Sequence, residues 1–168
     1  IGYDHSGAFA FDNEKPAHRV RIERPFRIQK YEVTQDQWRD VMGNNPSEHE
    51  GDDLPVHNVS WNDIERYLEK LNNRGDGFHY RLPTEAEWEY GAQGRIRGNS
   101  WEWVSDFYSK DYYTVSPIKN PSGPATGTKR VIRGANWVED KSESATRRRA
   151  SRAPKDGGDR IGFRFVIP

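Results

Sequence analysis

The side chains able to do chemistry in this sequence are histidines, carboxylates and arginines, because it contains no cysteine. That absence removes disulfides, thiolate metal sites and thiol nucleophiles together. The five histidines, at positions 5, 18, 49, 57 and 79, are scattered, and no two stand four apart as ligands on one helix face would. Arginine is the group that clusters. Between Lys129 and Arg164 there are 11 Lys/Arg against 5 Asp/Glu, although the whole chain balances at 26 of each. Arg147, Arg148 and Arg149, with Arg152 and Arg160, form the densest part. Two meanings are open: the guanidinium forks pair with the acidic remainder and brace loops, or they face outward as an anion-binding patch. No base-reading motif accompanies them and the net charge is zero, so no nucleic-acid partner is expected.

These groups must be positioned by a chain of 168 residues, which suits one domain over residues 1–168. Hydrophobic residues make up 33% and mean hydropathy is −1.08, values that alone would suggest disorder. Six Trp, eight Tyr and seven Phe argue for folding, since a core can be built from few such large side chains. Alternation at Val20, Ile22, Phe26 and Ile28 predicts one or two half-buried strands within 18–33. Three helix starts carry capping-box chemistry: Thr34 with Gln37, Ser60 with Asp63, and Thr84 with Glu87. The first helix is expected to stop at Gly43 and the second near Gly75. Beyond Gly91, glycine and proline mark loops between short strand-like runs at 101–104, 130–132 and 163–167. Helices early with short strands and loops late predict an α+β domain. No apolar run is long enough to span a bilayer. No signal-peptide pattern is visible, and a start at Ile1 rather than Met leaves room for further N-terminal sequence, so localisation is unassigned.

Several segments match a family in order along nearly the whole chain. They are 14–20 (EKPAHRV), 30–38 (KYEVTQDQW), 54–56, 59–61, 80–90 (YRLPTEAEWEY), 98–106 (GNSWEWVSD), 130–137 (RVIRGANW), 148–152 and 162–164. With them the sequence resembles a formylglycine-generating-enzyme-like (FGE-sulfatase) domain. The resemblance implies a C-type-lectin-like fold, with two main helices on a small antiparallel sheet and extensive ordered loops. It makes Trp38, Trp61, Trp88, Trp101 and Trp103 packing residues, and Arg81, Glu85 and Glu87 braces of a strand–helix junction rather than catalytic groups. The oxidase chemistry of the family needs two cysteines to hold Cu(I), and here their positions fall on Glu139 and Ser144. A related iron-dependent branch takes its metal ligands largely from a separate helical domain, and His18, isolated within a fold-associated motif, reads as structural. Calcium in this family would draw on Gly98, Ser100 and Glu102, but Arg95 stands where an Asp or Asn ligand is expected. No metal, cofactor or catalytic residue is therefore assigned, and Glu102 is taken as a structural acceptor.

The stretch from Asn136 to Arg160 carries the functional expectation. Its flanks match the family while its interior, 138–146, is polar and matches no catalytic motif. This arrangement is similar to the variable proteins of diversity-generating retroelements, which vary exposed positions between fixed flanks. On that resemblance the candidate ligand contacts are Asn136, Trp137, Glu139, Asp140, Lys141, Glu143, Arg147, Arg149 and Ser151. The expected function is a non-catalytic binding domain for a protein or glycan ligand, with no membrane segment. Two alternatives stand beside it: a domain of an FGE-like or ergothioneine-synthase-like oxidoreductase needing further partners, and a structural or regulatory relic.

Overall fold

Local capping chemistry lays down the three principal helices. The computed structural model describes residues 1–2, 11–93, 100–134 and 146–168. Helix α1 (Gln35–Met42) begins where the Thr34 hydroxyl accepts the Gln37 N–H at 3.3 Å and the Gln37 side chain accepts the Thr34 N–H at 3.1 Å. The same reciprocal pair, Ser60 with Asp63, opens α2 (Trp61–Asn72), and Thr84 with Glu87 opens α3 (Glu85–Ala92). Each box satisfies two backbone donors that a helix start otherwise leaves unpaired. Gly43 ends α1 at φ 78, a left-handed conformation that costs a residue with a Cβ more than glycine. A single further turn, α4 (Tyr112–Val115), lies in the loop-rich half.

Six strands complete the fold: β1 (Arg27–Ile28), β2 (Trp101–Phe107), β3 (Arg130–Arg133), β4 (Arg149–Arg152), β5 (Ile161–Phe163) and β6 (Val166–Ile167). Four of them form a sheet in the order β4-β3-β2-β5, and β1 pairs with β6 separately. The β4-β3-β2 part is antiparallel, but β5 lies parallel to β2. Since β3 occupies one edge of β2, the chain leaving β4 crosses to the other edge to add β5. The alternating stretch 18–33 forms less strand than its pattern suggests: two residues pair with β6, and Arg21 makes one isolated bridge to Lys119. A short 3-10 turn at Asp12–Glu14 falls in a region with no sequence signal for one.

Strand β2 is covered on both faces, as its burial pattern requires. On one face Trp103 and Ile132 join Trp38 of α1 and Ile64, Tyr67 and Leu68 of α2. Trp38 stacks on Tyr67 at 5.1 Å between ring centroids, and Phe163 meets both edge-on. The indole N–H of Trp103 donates to the Val59 carbonyl at 3.1 Å, so its burial leaves no polar group unpaired. On the other face Val104 and Val131 meet Trp88 and Ala92 of α3. That second face also carries charge, from Glu85 and Glu89 of α3 and Arg133 of β3.

Candidate functional site

Strand periodicity puts Val131 and Arg133 on the α3 face of β3, and register places Arg133 directly opposite Arg149 of β4. Two like charges facing each other across a ladder repel. Glu85, the first residue of α3, relieves this by accepting from both. Its Oε1 takes Arg133 Nη1 at 2.7 Å and Arg149 Nε at 2.8 Å, and its Oε2 takes Arg149 Nη2 at 2.8 Å. One helical turn later, Glu89 accepts Arg133 Nη2 at 2.6 Å. The Tyr113 hydroxyl of α4 accepts from Arg133 at 2.9 Å and donates to Glu85 at 3.1 Å. All four charged side chains are buried, Arg133 completely. Burial alone pushes the Glu85 carboxyl up; Arg149 and Arg133, by charge and hydrogen bonding, overcome it and hold it below the usual carboxylate range.

This buried cluster roots a loop. Arg133 Nη2 also donates to the Thr146 carbonyl at 2.9 Å, and the Gly134 N–H donates to the Arg148 carbonyl at 3.3 Å. Gly134 has φ +99, and a Cβ there would stand 3.2 Å from the Ser100 carbonyl, so the β3 exit depends on glycine. Asn13 closes the far side: its amide donates to the Arg149 carbonyl at 3.0 Å and to the Tyr108 hydroxyl at 3.1 Å. Both ends of the segment from 135 to 145 are thus tied to one charged layer beneath the sheet.

Asn136, Trp137, Glu139, Asp140, Lys141 and Glu143 lie outside the described residues, as do Ser144, Arg95 and Gly98. Of the remaining candidate contacts, Arg147 and Ser151 are half-buried near the sheet edge. Arg149 turns inward, its guanidinium spent on Glu85 and on the carbonyls of Asn13 and Ser109. Bracing, not outward display, is what this member of the arginine cluster does. Sequence reasoning missed Arg133, Glu89 and Tyr113. The four-residue spacing of Glu85 and Glu89 on one helix face was the available signal.

Other singled-out residues serve structure. Arg81 and Glu87 form a two-pronged pair at 2.7 and 2.8 Å across the strand–helix junction. Glu102 is fully buried and gives both oxygens to Arg164 at 2.6 Å, and Oε2 also accepts the Trp88 N–H at 2.9 Å. Ser100 bonds Glu32. His18 packs edge-on against Tyr113 at 4.8 Å. Asp106, buried beside the cluster, accepts the Glu85 N–H at 2.8 Å. Burial, then repulsion by Glu85, pushes its carboxyl up to about 7. Among the described residues no group of three or more His, Asp or Glu could hold a metal ion. The soft thiolate pair that Cu(I) needs does not fit a chain without cysteine.

Comparison with known proteins places this geometry in context. The sulfatase-modifying factor enzyme 1-like domain model matches residues 2–97 and 95–168. The formylglycine-generating enzyme of Streptomyces coelicolor is 29% identical over 168 residues, covering 66% of this chain and 51% of that protein. Chaperone protein LppX of Paenibacillus barcinonensis is 37% identical over 170 residues, covering 78% and 56%. The inactive C-alpha-formylglycine-generating enzyme 2 of Mus musculus is 28% identical over 171 residues, covering 76% and 53%. The chain therefore spans about half the length of the curated relatives it matches. Among solved structures, PvdO from Pseudomonas aeruginosa superposes with a TM-score of 0.85 at 23% identity, covering 99% of this chain and 89% of that one. Treponema denticola variable protein 1 gives 0.75 at 23%, covering 88% and 86%. Both likenesses show the fold, which is α+β and C-type-lectin-like.

Proposed function

This chain belongs to the sulfatase-modifying factor enzyme 1-like family, and we propose that it acts as a non-catalytic binding domain whose β3–β4 loop, with the following segment to about 160, meets a protein ligand. The observation that carries this is the buried Glu85–Arg133–Arg149 cluster, which fixes both ends of the loop while no thiol stands anywhere in the chain. A fixed root joined to an interior whose sequence is polar and matches no catalytic motif is the arrangement that favours recognition by loop chemistry. The contact set is Asn136, Trp137, Glu139, Asp140, Lys141, Glu143, Arg147 and Ser151, with Arg149 supporting them from below. An inactive relative and a structural neighbour described as a variable protein support a role without catalysis. A relative described as a chaperone supports a protein ligand over a glycan.

The second reading, a domain of an FGE-like oxidoreductase, is favoured by the relative described as a formylglycine-generating enzyme and by the half-length match. Titration with Cu(I) and with Fe(II) under anaerobic calorimetry separates the two. No stoichiometric binding is expected; tight one-to-one binding of either metal would overturn the proposal. The loop is tested by replacing 136–145 with a Gly/Ser linker of equal length and repeating photo-crosslinking from position 137 in the parent. Ligand crosslinks are expected from the parent, with binding lost in the replaced chain at an unchanged melting temperature. Equal ligand binding by both would refute the loop's role.

A further inference from the structure

A separate feature lies on the other side of α3. Between residues 19 and 30 the chain carries Arg19, Arg21, Arg24, Arg27 and Lys30 against one carboxylate, Glu23. This is a basic strip outside the arginine-rich 129–164 segment, in a remainder that is otherwise acidic. It forms one wall of a cleft of about 1180 Å³ whose other wall is α3, with Ala86, Glu89 and Tyr90. Exposure alternates over 19–22, is broken by the exposed run from Glu23 to Pro25, and alternates again over 26–28; Val20, Ile22, Phe26 and Ile28 are half-buried and line the cleft.

Among the described residues, the cations lining the cleft are not matched by free carboxylates. Glu23 already sits 3.1 Å from Lys119, and Glu89 is taken by Arg133 at 2.6 Å. Among the described residues Arg19 and Arg24 make no ion pair, and Lys30 stands over the Tyr31 ring at 5.1 Å without a carboxylate partner. The strip is also held in place: Arg164 Nη1 donates to the carbonyls of Gln29 and Lys30 at 2.9 Å each. Strand β1 within it pairs with β6 on one edge, and among the described residues no strand lies on its other edge.

We propose that this cleft is a docking site for an extended acidic segment of a partner protein, in which carboxylate and aliphatic side chains alternate. Both kinds of side chain line the cleft, so the ligand needs both, with aliphatic side chains against Val20, Ile22 and Ile28 and carboxylates against Arg19, Arg24 and Lys30. The open edge of β1 offers main-chain hydrogen bonds to such a segment, as in strand addition. A polynucleotide would match the charge, and Phe26 and Tyr90, 6.3 Å apart, also line the cleft, but the half-buried Val20, Ile22 and Ile28 suit aliphatic side chains rather than bases, and Glu23 and Glu89 repel phosphates. The site is separate from the β3–β4 segment, although Glu89 lines the cleft and also pairs with Arg133.

The probe is a fluorescein-labelled peptide of about ten residues alternating Glu and Val, titrated by anisotropy against the whole chain. Its Lys-Val counterpart and an oligothymidylate of equal charge serve as controls. Saturable binding of the Glu-Val peptide is expected, weakened at least about tenfold in Arg24→Glu/Lys30→Glu. Amide shift changes should centre on 19–30. No saturable binding, equal binding by the variant, equal or tighter binding of the oligothymidylate, or shifts confined to 146–152 would each overturn the proposal. Because the reversed residues are exposed, the variant is checked by its melting temperature. If that falls, the single Arg24→Gln variant carries the test, with weaker binding expected and unchanged binding refuting.

Discussion

Replacing Glu85 by glutamine keeps the shape of the side chain and removes the charge that separates two buried arginines. In the parent, Oε1 is shared by Arg133 and Arg149 at 2.7 and 2.8 Å, and Arg133 retains Glu89 as a second partner while Arg149 has no other carboxylate among the described residues. Breaking a buried pair by removing one partner costs about 3–5 kcal/mol, because it strands an uncompensated charge. Arg149 fits that case directly, and its repulsion from Arg133 in register adds to it. Against a total stability of roughly 5–15 kcal/mol the loss is large. At roughly 2–4 °C per kcal/mol for a chain of this size it corresponds to a melting temperature about 6–20 °C lower. Denaturant unfolding followed by tryptophan fluorescence should show a lower midpoint at unchanged slope. The Gly134 amide, bonded to the Arg148 carbonyl at 3.3 Å, should lose hydrogen-exchange protection in the same variant. A loss below about 1 kcal/mol, the range of an exposed pair, would refute the idea that this cluster roots the loop.

Asp106 gives a pH signature of opposite sign to Glu85. Its folded pKa of about 7 lies above the unfolded value, so its contribution is full below about pH 4 and is lost as pH rises through about 7. Asp106→Asn, which keeps an acceptor for the Glu85 N–H, should flatten the stability profile between those limits and exceed the parent at pH 8; a parent profile with no such fall would contradict it. His57 works the other way. Burial lowers its folded pKa, so stability is lost as pH falls below about 6.5, and His57→Leu should remove that loss in urea midpoints measured from pH 7 to 5. Thr84→Ala deletes the cap of α3 and should cost about 1 kcal/mol in the same assay, with Glu87→Ala adding less than its separate effect because the two share one box. Additive losses would show that the box is not reciprocal in solution.

What the sequence revealed and what it hid divide along separation in the chain. The three helix starts were readable because each capping box spans three residues, and the structure caps α1, α2 and α3 with Thr34, Ser60 and Thr84 as those boxes require. Arg81 and Glu87 were readable as a brace through the family resemblance of 80–90, and the structure pairs them. The alternation over 18–33 overstated its strand because period two describes an extended, half-buried wall equally well with or without a ladder partner. The cluster beneath the loop joins Glu85 to positions 48 and 64 residues away, and nothing local in either arginine announces it. Composition could say that the guanidiniums of 129–164 were too many for their own carboxylates, but not which would turn inward. The strand register decides that: Arg149 follows Arg133 onto the α3 face, whereas Arg152, opposite Arg130, is exposed. Membership in the arginine-rich segment therefore does not define a binding residue. For the two arginines of β4, parity along the strand decides which turns inward.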